Sequence, residues 1–186
     1  MNQNQIKSIQ SKIGVIPDGF WGPKSIAACQ KYLRGLMPSP NPWPSTDQAS
    51  LTRFFGAAGD ENNLTNLDVS GLGVKYDGKA VRTIRCNKKV ASSLLRIFQS
   101  LSKTHPEVLA EYAGCFNDRK MRGGSLPSLH ARGAAVDLMP DTNGNLVNWP
   151  MKANMPFEVM EVFAKEGWMS AGAFWQRDSM HHQATR

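Results

Sequence analysis

Four prolines alternate with other residues between positions 38 and 44, and no other feature of the chain restricts its folding as strongly. Proline fixes the backbone φ angle and lacks the N–H that a helix or a central strand needs. We therefore predict an extended, stiff segment here. It would separate an N-terminal unit (residues 1–36) from a larger domain (49–186), with a proline-rich linker at 37–48. The alternative is a proline-rich surface loop within a single domain.

The N-terminal unit has the pattern of two short helices joined by a turn. Apolar residues recur at helical spacing in two stretches, which are Ile6, Ile9 and Ile13, then Ile26, Cys29 and Leu33. Between them, Asp18-Gly19 favours a turn, and Pro23 suits the first turn of a new helix. A third helix before the prolines is not evident.

The larger domain mixes both kinds of secondary structure. Its patterns predict strands over 80–86 and 134–139, and helices over 89–102 and 157–165. The first strand is expected to turn three residues toward one face, namely Ala80, Ile84 and Cys86. Because strands and helices do not alternate regularly, the α+β class fits better than a doubly wound fold.

Charge and composition limit the possible partners. The net charge of +7 favours an anionic partner, but the basic residues are scattered, so we predict no nucleic-acid binding. No apolar run approaches the roughly 20 residues that span a bilayer, and the polar start of the chain lacks the pattern of a signal peptide. We expect a monomer made in the cytoplasm, with buried, unpaired thiols at Cys29, Cys86 and Cys115.

Two stretches supply candidate metal ligands. His130 precedes the predicted strand that carries Asp137, and His181 lies near the end of the chain. Imidazole and carboxylate both bind zinc well, and three protein ligands leave one tetrahedral position for water. Asp178, close to His181, could accept a proton from that water. On spacing alone, the first stretch is a plausible metal-ligand pair and no more, and a loop histidine beside an ion-pairing aspartate is the alternative.

These residues also form a motif. It reads Ser128-x-His130-x-x-Gly133-x-Ala135-x-Asp137, followed much later by Asp178-x-x-His181. The motif resembles that of the zinc D-alanyl-D-alanine carboxypeptidase family, which includes VanY-like and VanX-like peptidases and a branch of phage endolysins. The resemblance implies an α+β zinc DD-peptidase (hedgehog-like) domain that binds Zn²⁺ through His130, Asp137 and His181. It implies Asp178 as the catalytic base, and aspartate rather than glutamate there resembles the endolysins that cut L-alanyl-D-glutamate bonds.

The same resemblance extends to possible substrate contacts. Residues 115–124 resemble a family segment whose arginine faces the active site, which suggests Arg119 as a catalytic group and Arg122 as a substrate-binding one. An arginine there would bind a substrate carboxylate or the oxyanion, whereas a solvated basic loop is the alternative. Ser128 and Trp175 are further substrate-binding candidates. The segment 170–175 matches the family pattern only in part.

One ambiguity in the motif concerns the third ligand. His182 stands where relatives often have an aromatic residue, so it is an alternative to His181 if the register differs by one. The offset from Asp178 favours His181.

Residues 5–33 resemble a second family, the peptidoglycan-binding domain type 1. The matching core reads Asp18-Gly19-Phe20-Trp21-Gly22-Pro23-Lys24-Ser25. The resemblance implies a three-helix unit that grips wall glycan or stem peptide, with Asp18 and Trp21 as candidate contacts. We expect Phe20 to pack in the core instead.

Together these features predict a modular phage endolysin, in which a wall anchor and a zinc endopeptidase act on bacterial peptidoglycan after release through a separate membrane pore. The alternatives are a D-alanyl-D-alanine carboxypeptidase or cross-link peptidase, and a non-catalytic wall-binding protein with structural zinc. A cysteine peptidase using Cys115 and His130 is a further alternative, which the lack of an activating partner for Cys115 disfavours.

Overall fold

The computed structural model describes residues 1–186 and combines helices with short β-strands. The helices are α1 (Gln3–Lys12), α2 (Pro23–Leu36), α3 (Gln48–Phe55), α4 (Ala91–Thr104), α5 (Pro106–Leu109), α6 (Pro140–Asn143), α7 (Phe157–Lys165) and α8 (Ala171–Trp175). The strands are β1 (Leu64–Asp68), β2 (Lys75–Tyr76), β3 (Lys79–Ala80), β4 (Thr83–Asn87), β5 (Tyr112–Gly114), β6 (Ala135–Leu138), β7 (Met169–Ser170) and β8 (His181–Gln183). This mixture confirms the α+β class. No helix has the combination of length and apolar character that crossing a membrane requires.

The central sheet is antiparallel, with the strand order β5-β6-β8-β7. Every residue of β6 is buried, as the apolar run over 134–139 predicts. The pairing of β6 with β8 sets Asp137 opposite His181 and Val136 opposite His182. The register of these two strands therefore determines which histidine faces the same side of the sheet as Asp137.

The strand predicted over 80–86 is divided into two. β3 pairs with β2 in a hairpin, whereas β4 pairs with β1. Ile84 and Cys86 are buried on one face, as predicted, but Ala80 is exposed, so its predicted place on that face is wrong. The reason is that the chain changes partner strands between Ala80 and Thr83, which interrupts the alternation.

The predicted helices are all present, whereas α3 and the short helices α5, α6 and α8 were not predicted. α7 has the predicted bounds, α4 is displaced by two residues at each end, and Pro23 begins α2. α3 is the longest of the four helices that were not predicted. It begins after Asp47, whose carboxylate accepts a hydrogen bond from the Ser50 N–H at 2.8 Å. Such a cap satisfies an N–H that would otherwise lack a partner at the start of the helix.

The N-terminal helices share one apolar core with the rest of the chain. Ile6 of α1 and Leu33 of α2 belong to the same contiguous buried cluster as Phe157 of α7. Polar contacts reinforce this packing, since the largely buried carboxylate of Glu161 accepts hydrogen bonds from Lys12 Nζ at 2.7 Å and Tyr32 Oη at 2.8 Å.

The proline-rich segment contains no helix, and it packs against the larger domain. Trp43 is buried, with its ring 6.0 Å from that of Trp168, and its indole N–H donates to the Glu166 carbonyl at 2.8 Å. The linker and domain boundaries stay a prediction.

Two predictions about single side chains have opposite outcomes. The three thiols are free and buried, as predicted, and burial raises the pKa of Cys29 and of Cys86 to about 12. Phe20, however, is 70% exposed, so its predicted place in the core is wrong. Trp21 occupies the buried position instead, because its ring packs edge-on against Trp149.

Candidate metal centre and active-site cleft

Three separate elements bring His130, Asp137 and His181 together. His130 lies on a 3₁₀ helix (Leu129–Arg132), Asp137 on β6 and His181 on β8. The Nε2 atom of His130 is 3.2 Å from Oδ1 of Asp137 and 3.1 Å from Nδ1 of His181, and the latter two atoms are 3.1 Å apart. Ligands about 2.05 Å from a tetrahedral zinc ion lie about 3.3 Å from one another. The three observed separations are close to that value, so the triangle is of a size that a zinc ion could occupy.

The hydrogen bonds of the two imidazoles direct their lone pairs into this triangle. Nδ1 of His130 lies 2.7 Å from the Cys115 carbonyl oxygen, which can only accept, so this nitrogen carries the hydrogen. Nε2 of His181 likewise donates to Oε1 of Gln183 at 3.1 Å. In the neutral rings, Nε2 of His130 and Nδ1 of His181 then face the Asp137 carboxylate with lone pairs only. A cation would satisfy all three groups. Histidines that bind a metal usually donate the N–H of the other ring nitrogen to a nearby group, as these two rings do.

The ionisation of the cluster is consistent with a cation site. Burial by itself raises the pKa of Asp137. Where a ring nitrogen that faces Asp137 carries a proton, hydrogen bonds from His130 and His181 outweigh burial and hold this pKa well below its usual range. Burial lowers the pKa of His181, yet the hydrogen bond and the charge of Asp137 raise it above the ordinary value overall. The carboxylate thus stays charged, and His181 must lose any proton before it can bind a metal. The three residues could hold a metal ion.

The loop between His130 and Asp137 turns at Gly133, where only glycine fits. Gly133 has a φ of +63°, and a Cβ atom there would lie 2.7 Å from the backbone nitrogen of Asn87. Ser128 caps the preceding 3₁₀ helix by accepting the His130 N–H at 3.3 Å. The conformations of Ser128 and Gly133 together set the direction of the His130 side chain.

His182 is directed away from the cluster. Its ring is completely buried and stacks on Phe163, with centroids 3.9 Å apart and planes 6° from parallel. Its Nδ1 atom lies 2.8 Å from Oγ of Ser170, and burial lowers its pKa to about 3. The structure therefore brings His181, and not His182, to His130 and Asp137.

Asp178 lies beside the cluster in a sharp turn. It has a φ of +57°, which is uncommon for a residue other than glycine, and its carbonyl oxygen accepts the His181 N–H at 2.9 Å. Its Oδ1 atom is buried and makes no hydrogen bond to the protein. Burial raises the pKa of this carboxyl. A carboxylate with a free oxygen and a raised pKa is well suited to accept and return a proton.

A cleft of about 410 Å³ opens at the cluster. Asp137, His181 and Asp178 line it. So do Arg119, predicted as a catalytic group, and three predicted substrate contacts, Arg122, Ser128 and Trp175. A second cavity of about 500 Å³ shares Arg119, Arg122 and Asp137 with the first and is also lined by His130. Two neighbouring cavities therefore border the cluster.

The two candidate residues of the N-terminal unit do not line this cleft. The carboxylate of Asp18 accepts hydrogen bonds from the Gln10 side chain and the Phe20 N–H, both at 2.8 Å. Trp21 is 8% exposed, and its indole N–H donates to Oε1 of Gln176 at 3.3 Å.

Three supporting residues had not been identified from the sequence. Gln183 and the Cys115 carbonyl orient the two imidazoles. Asn143 is fully buried, and its Oδ1 accepts from the Met155 N–H at 2.7 Å and from Ser179 Oγ at 2.8 Å, next to Asp178. Only Gln183 carried a sequence signal, since it follows His181 by two residues on one strand and so shares its face.

Cys115 is not arranged as a nucleophile. It is buried, and burial raises the pKa of its thiol well above the usual value. His130 contacts its backbone carbonyl, and the sulfur lies 3.5 Å from the Gly133 carbonyl oxygen. This geometry contradicts the cysteine-peptidase alternative, since the thiolate is the nucleophilic form.

Comparison with known families agrees with the site. Residues 122–184, about one third of the chain, match the family model described as D-alanyl-D-alanine carboxypeptidase. The matched range contains His130, Asp137, Asp178 and His181, whereas Arg119 precedes it. No curated protein and no solved structure gave a significant match. The family match supports a peptidase that acts on peptidoglycan.

Proposed function

We propose that this protein is a zinc-dependent endopeptidase that cuts the stem peptide of bacterial peptidoglycan, at the bond between L-alanine and D-glutamate. The observation that carries the proposal is the convergence of three ligand lone pairs beside Asp178, within the segment that matches a peptidase family. His130, Asp137 and His181 would hold the metal. A zinc ion held there would supply Lewis-acid chemistry, namely polarisation of the scissile carbonyl and a lower pKa for a water molecule.

Asp178 is the proposed catalytic base. Its buried Oδ1 has no protein partner and is free to accept a proton from the attacking water. The raised pKa of the carboxyl then allows the same group to pass that proton to the departing amine. Both transfers use one side chain, which the turn before His181 holds close to the metal ligands.

Arg119 and Arg122 are the proposed anion contacts. Both line the two cavities, so their charges are available to a substrate bound in either one. A D-glutamate residue offers a free carboxylate that a guanidinium binds well. In the cleft, Ser128 and Trp175 would contact the peptide.

The two cavities also bear on the choice of bond. An endopeptidase needs room for substrate on both sides of the scissile bond, whereas a carboxypeptidase needs room mainly on one. Asp137 lines both cavities, and the room that they provide beside the candidate metal ligands supports the endopeptidase. A D-alanyl-D-alanine carboxypeptidase is the second candidate, because the matching family model has that description.

We further propose that the protein acts as an endolysin. In this role the N-terminal helices would bind the wall through Asp18 and Trp21, and the monomer would leave the cytoplasm through a separate membrane pore. Support comes from the resemblance of residues 5–33 and from the net charge of +7, which suits an anionic wall.

Digestion of purified peptidoglycan, with and without a chelator, tests this function. We expect new D-glutamate amino termini by mass spectrometry, lost on chelation and restored by zinc. Release of D-alanine alone would favour the carboxypeptidase, and new reducing sugar ends would indicate a glycosidase. Undiminished activity after chelation would refute the metal mechanism.

A further inference from the structure

The segment that leads to Asp178 is in contact with the N-terminal helices. Gln30 of α2 donates its side-chain N–H₂ to the carbonyl oxygens of Ala173 and Phe174, both at 3.3 Å. Trp21 donates its indole N–H to the side chain of Gln176, also at 3.3 Å. Gln30 and Trp21 both lie outside the predicted peptidase domain (49–186), yet both contact residues 173–178. We call residues 173–178 the base-bearing segment.

This segment has little intrinsic stability. α8 has only five residues, too few for a helix to be stable alone, and its last carbonyls lack partners within the helix. Gln176 and Asp178 both have positive φ angles, of 63° and 57°, which cost energy in residues other than glycine. The observed conformation therefore depends on surrounding contacts.

Besides an internal hydrogen bond from Gln176 Nε2 to the Ala173 carbonyl at 2.7 Å, the segment has contacts from the N-terminal helices and from a neighbouring tryptophan. Trp21 packs edge-on against Trp149 with centroids 5.3 Å apart, and the backbone N–H of Trp149 donates to the Gln176 carbonyl at 3.1 Å. The Arg34 guanidinium lies 4.9 Å from the centre of the Phe174 ring. Gln176 is thus held through both its side chain and its backbone, two residues before Asp178.

We propose that Gln30 and Trp21 are positioning residues, which hold the base-bearing segment so that Asp178 faces the metal ligands. The N-terminal helices are then an integral part of the active site, in addition to any role in wall binding. The inference rests on the proposed peptidase function for its catalytic consequence. The structural coupling itself can be measured without activity.

The sharpest test exchanges a donor for an acceptor. Gln30→Glu has nearly the same shape but presents oxygen to the two carbonyls, whereas Gln30→Lys restores an N–H donor. Lys31→Ala, at the next and exposed position, is the control. We expect Gln30→Glu to lower kcat on a soluble stem-peptide substrate by about 10- to 100-fold, because small displacements of reacting groups have effects of this size. KM should change little, since the arginine contacts are untouched.

Hydrogen exchange and bound zinc provide readouts besides activity. In Gln30→Glu, amides of residues 173–178 should exchange faster, zinc content should stay constant, and Gln30→Lys should recover both kcat and protection. Wild-type kcat and exchange in Gln30→Glu, or no recovery in Gln30→Lys, would overturn the proposal. If Gln30→Glu does not fold, Trp21→Phe replaces it, because this change keeps an aromatic ring and removes the indole N–H. We then expect a lower kcat and faster exchange of residues 173–178 at constant zinc content, and wild-type values of both would overturn the proposal. An inactive wild-type protein would refute the peptidase function, while exchange would still test the coupling.

Discussion

Asp137 and His181 lie directly opposite each other on paired antiparallel strands, with Oδ1 of the carboxylate 3.1 Å from Nδ1 of the imidazole. Cross-strand neighbours have side chains on the same face, so the strand pairing alone brings two of the three ligands together. His130 completes the cluster from a short helix that ends at Gly133. Residues far apart in sequence thereby form one rigid site.

The assignment of the third ligand predicts different results for two adjacent histidines. His181→Ala should weaken zinc binding by more than about 100-fold, since loss of a group that only hydrogen-bonds to a metal ligand already has an effect of about 10- to 100-fold. His182→Phe, which keeps the stacking on Phe163, should retain zinc. Calorimetric titration with zinc, after a chelator has removed bound metal from both variants, measures the two affinities. Equal losses in the two variants would contradict the assignment.

Zinc affinity should depend on pH with a definite sign. The pKa of His181 is raised, so below that pKa zinc must displace a proton, and affinity should fall by up to about tenfold per pH unit. Asp137, whose pKa is depressed, stays ionised and adds no such dependence.

The raised pKa of His181 also affects the stability of the metal-free protein. A raised folded-state pKa stabilises the fold below the unfolded value near 6.5, and this stability is lost as pH rises through the folded pKa. The gain in unfolding temperature from zinc, relative to chelator, should therefore grow with pH. A gain that is constant between about pH 5.5 and pH 8 would argue against His181 as the titrating ligand.

Asp178 should be needed for catalysis and dispensable for metal binding. Asp178→Asn keeps the shape of the side chain but cannot accept the proton, so kcat should fall by about 10²- to 10⁴-fold. Zinc content, measured by atomic absorption, should match that of the wild type. Asp141→Asn, an exposed change outside the cleft, serves as control. Substantial activity in Asp178→Asn would assign the base elsewhere.

Gly133 should tolerate no side chain. Gly133→Ala combines an unfavourable φ, costing about 1–2 kcal/mol, with a contact to the Asn87 backbone nitrogen. Gly123→Ala separates the two effects, because Gly123 has a φ of +74° and open space around its Cβ position. The free energy of unfolding should fall further in Gly133→Ala, by at least about 1 kcal/mol, and zinc affinity should fall with it. Equal stabilities, measured by urea denaturation, would show that the contact is relieved without cost.

Several features were accessible from local patterns. The apolar periodicity of residues 157–165 gave α7 with its correct bounds, and the run over 134–139 gave the buried strand that carries Asp137. α3 was not predicted, because its eight residues follow a proline-rich stretch and depend on the Asp47 cap and on burial of Phe55. Phe20 was assigned the wrong environment, since adjacent aromatic residues give no local signal of which one faces a neighbouring element.

The sequence by itself determined the identity of the chemical groups, which are two histidines, two aspartates and nearby arginines in a motif with fixed spacing. Only the tertiary structure decided between His181 and His182, because the register of β8 on β6 sets which ring faces Asp137. It also decided that Trp21 and Gln30 contact the segment before Asp178. Such contacts join residues more than 140 positions apart. No local pattern encodes them, because they arise only when separate elements bury their apolar faces in one core.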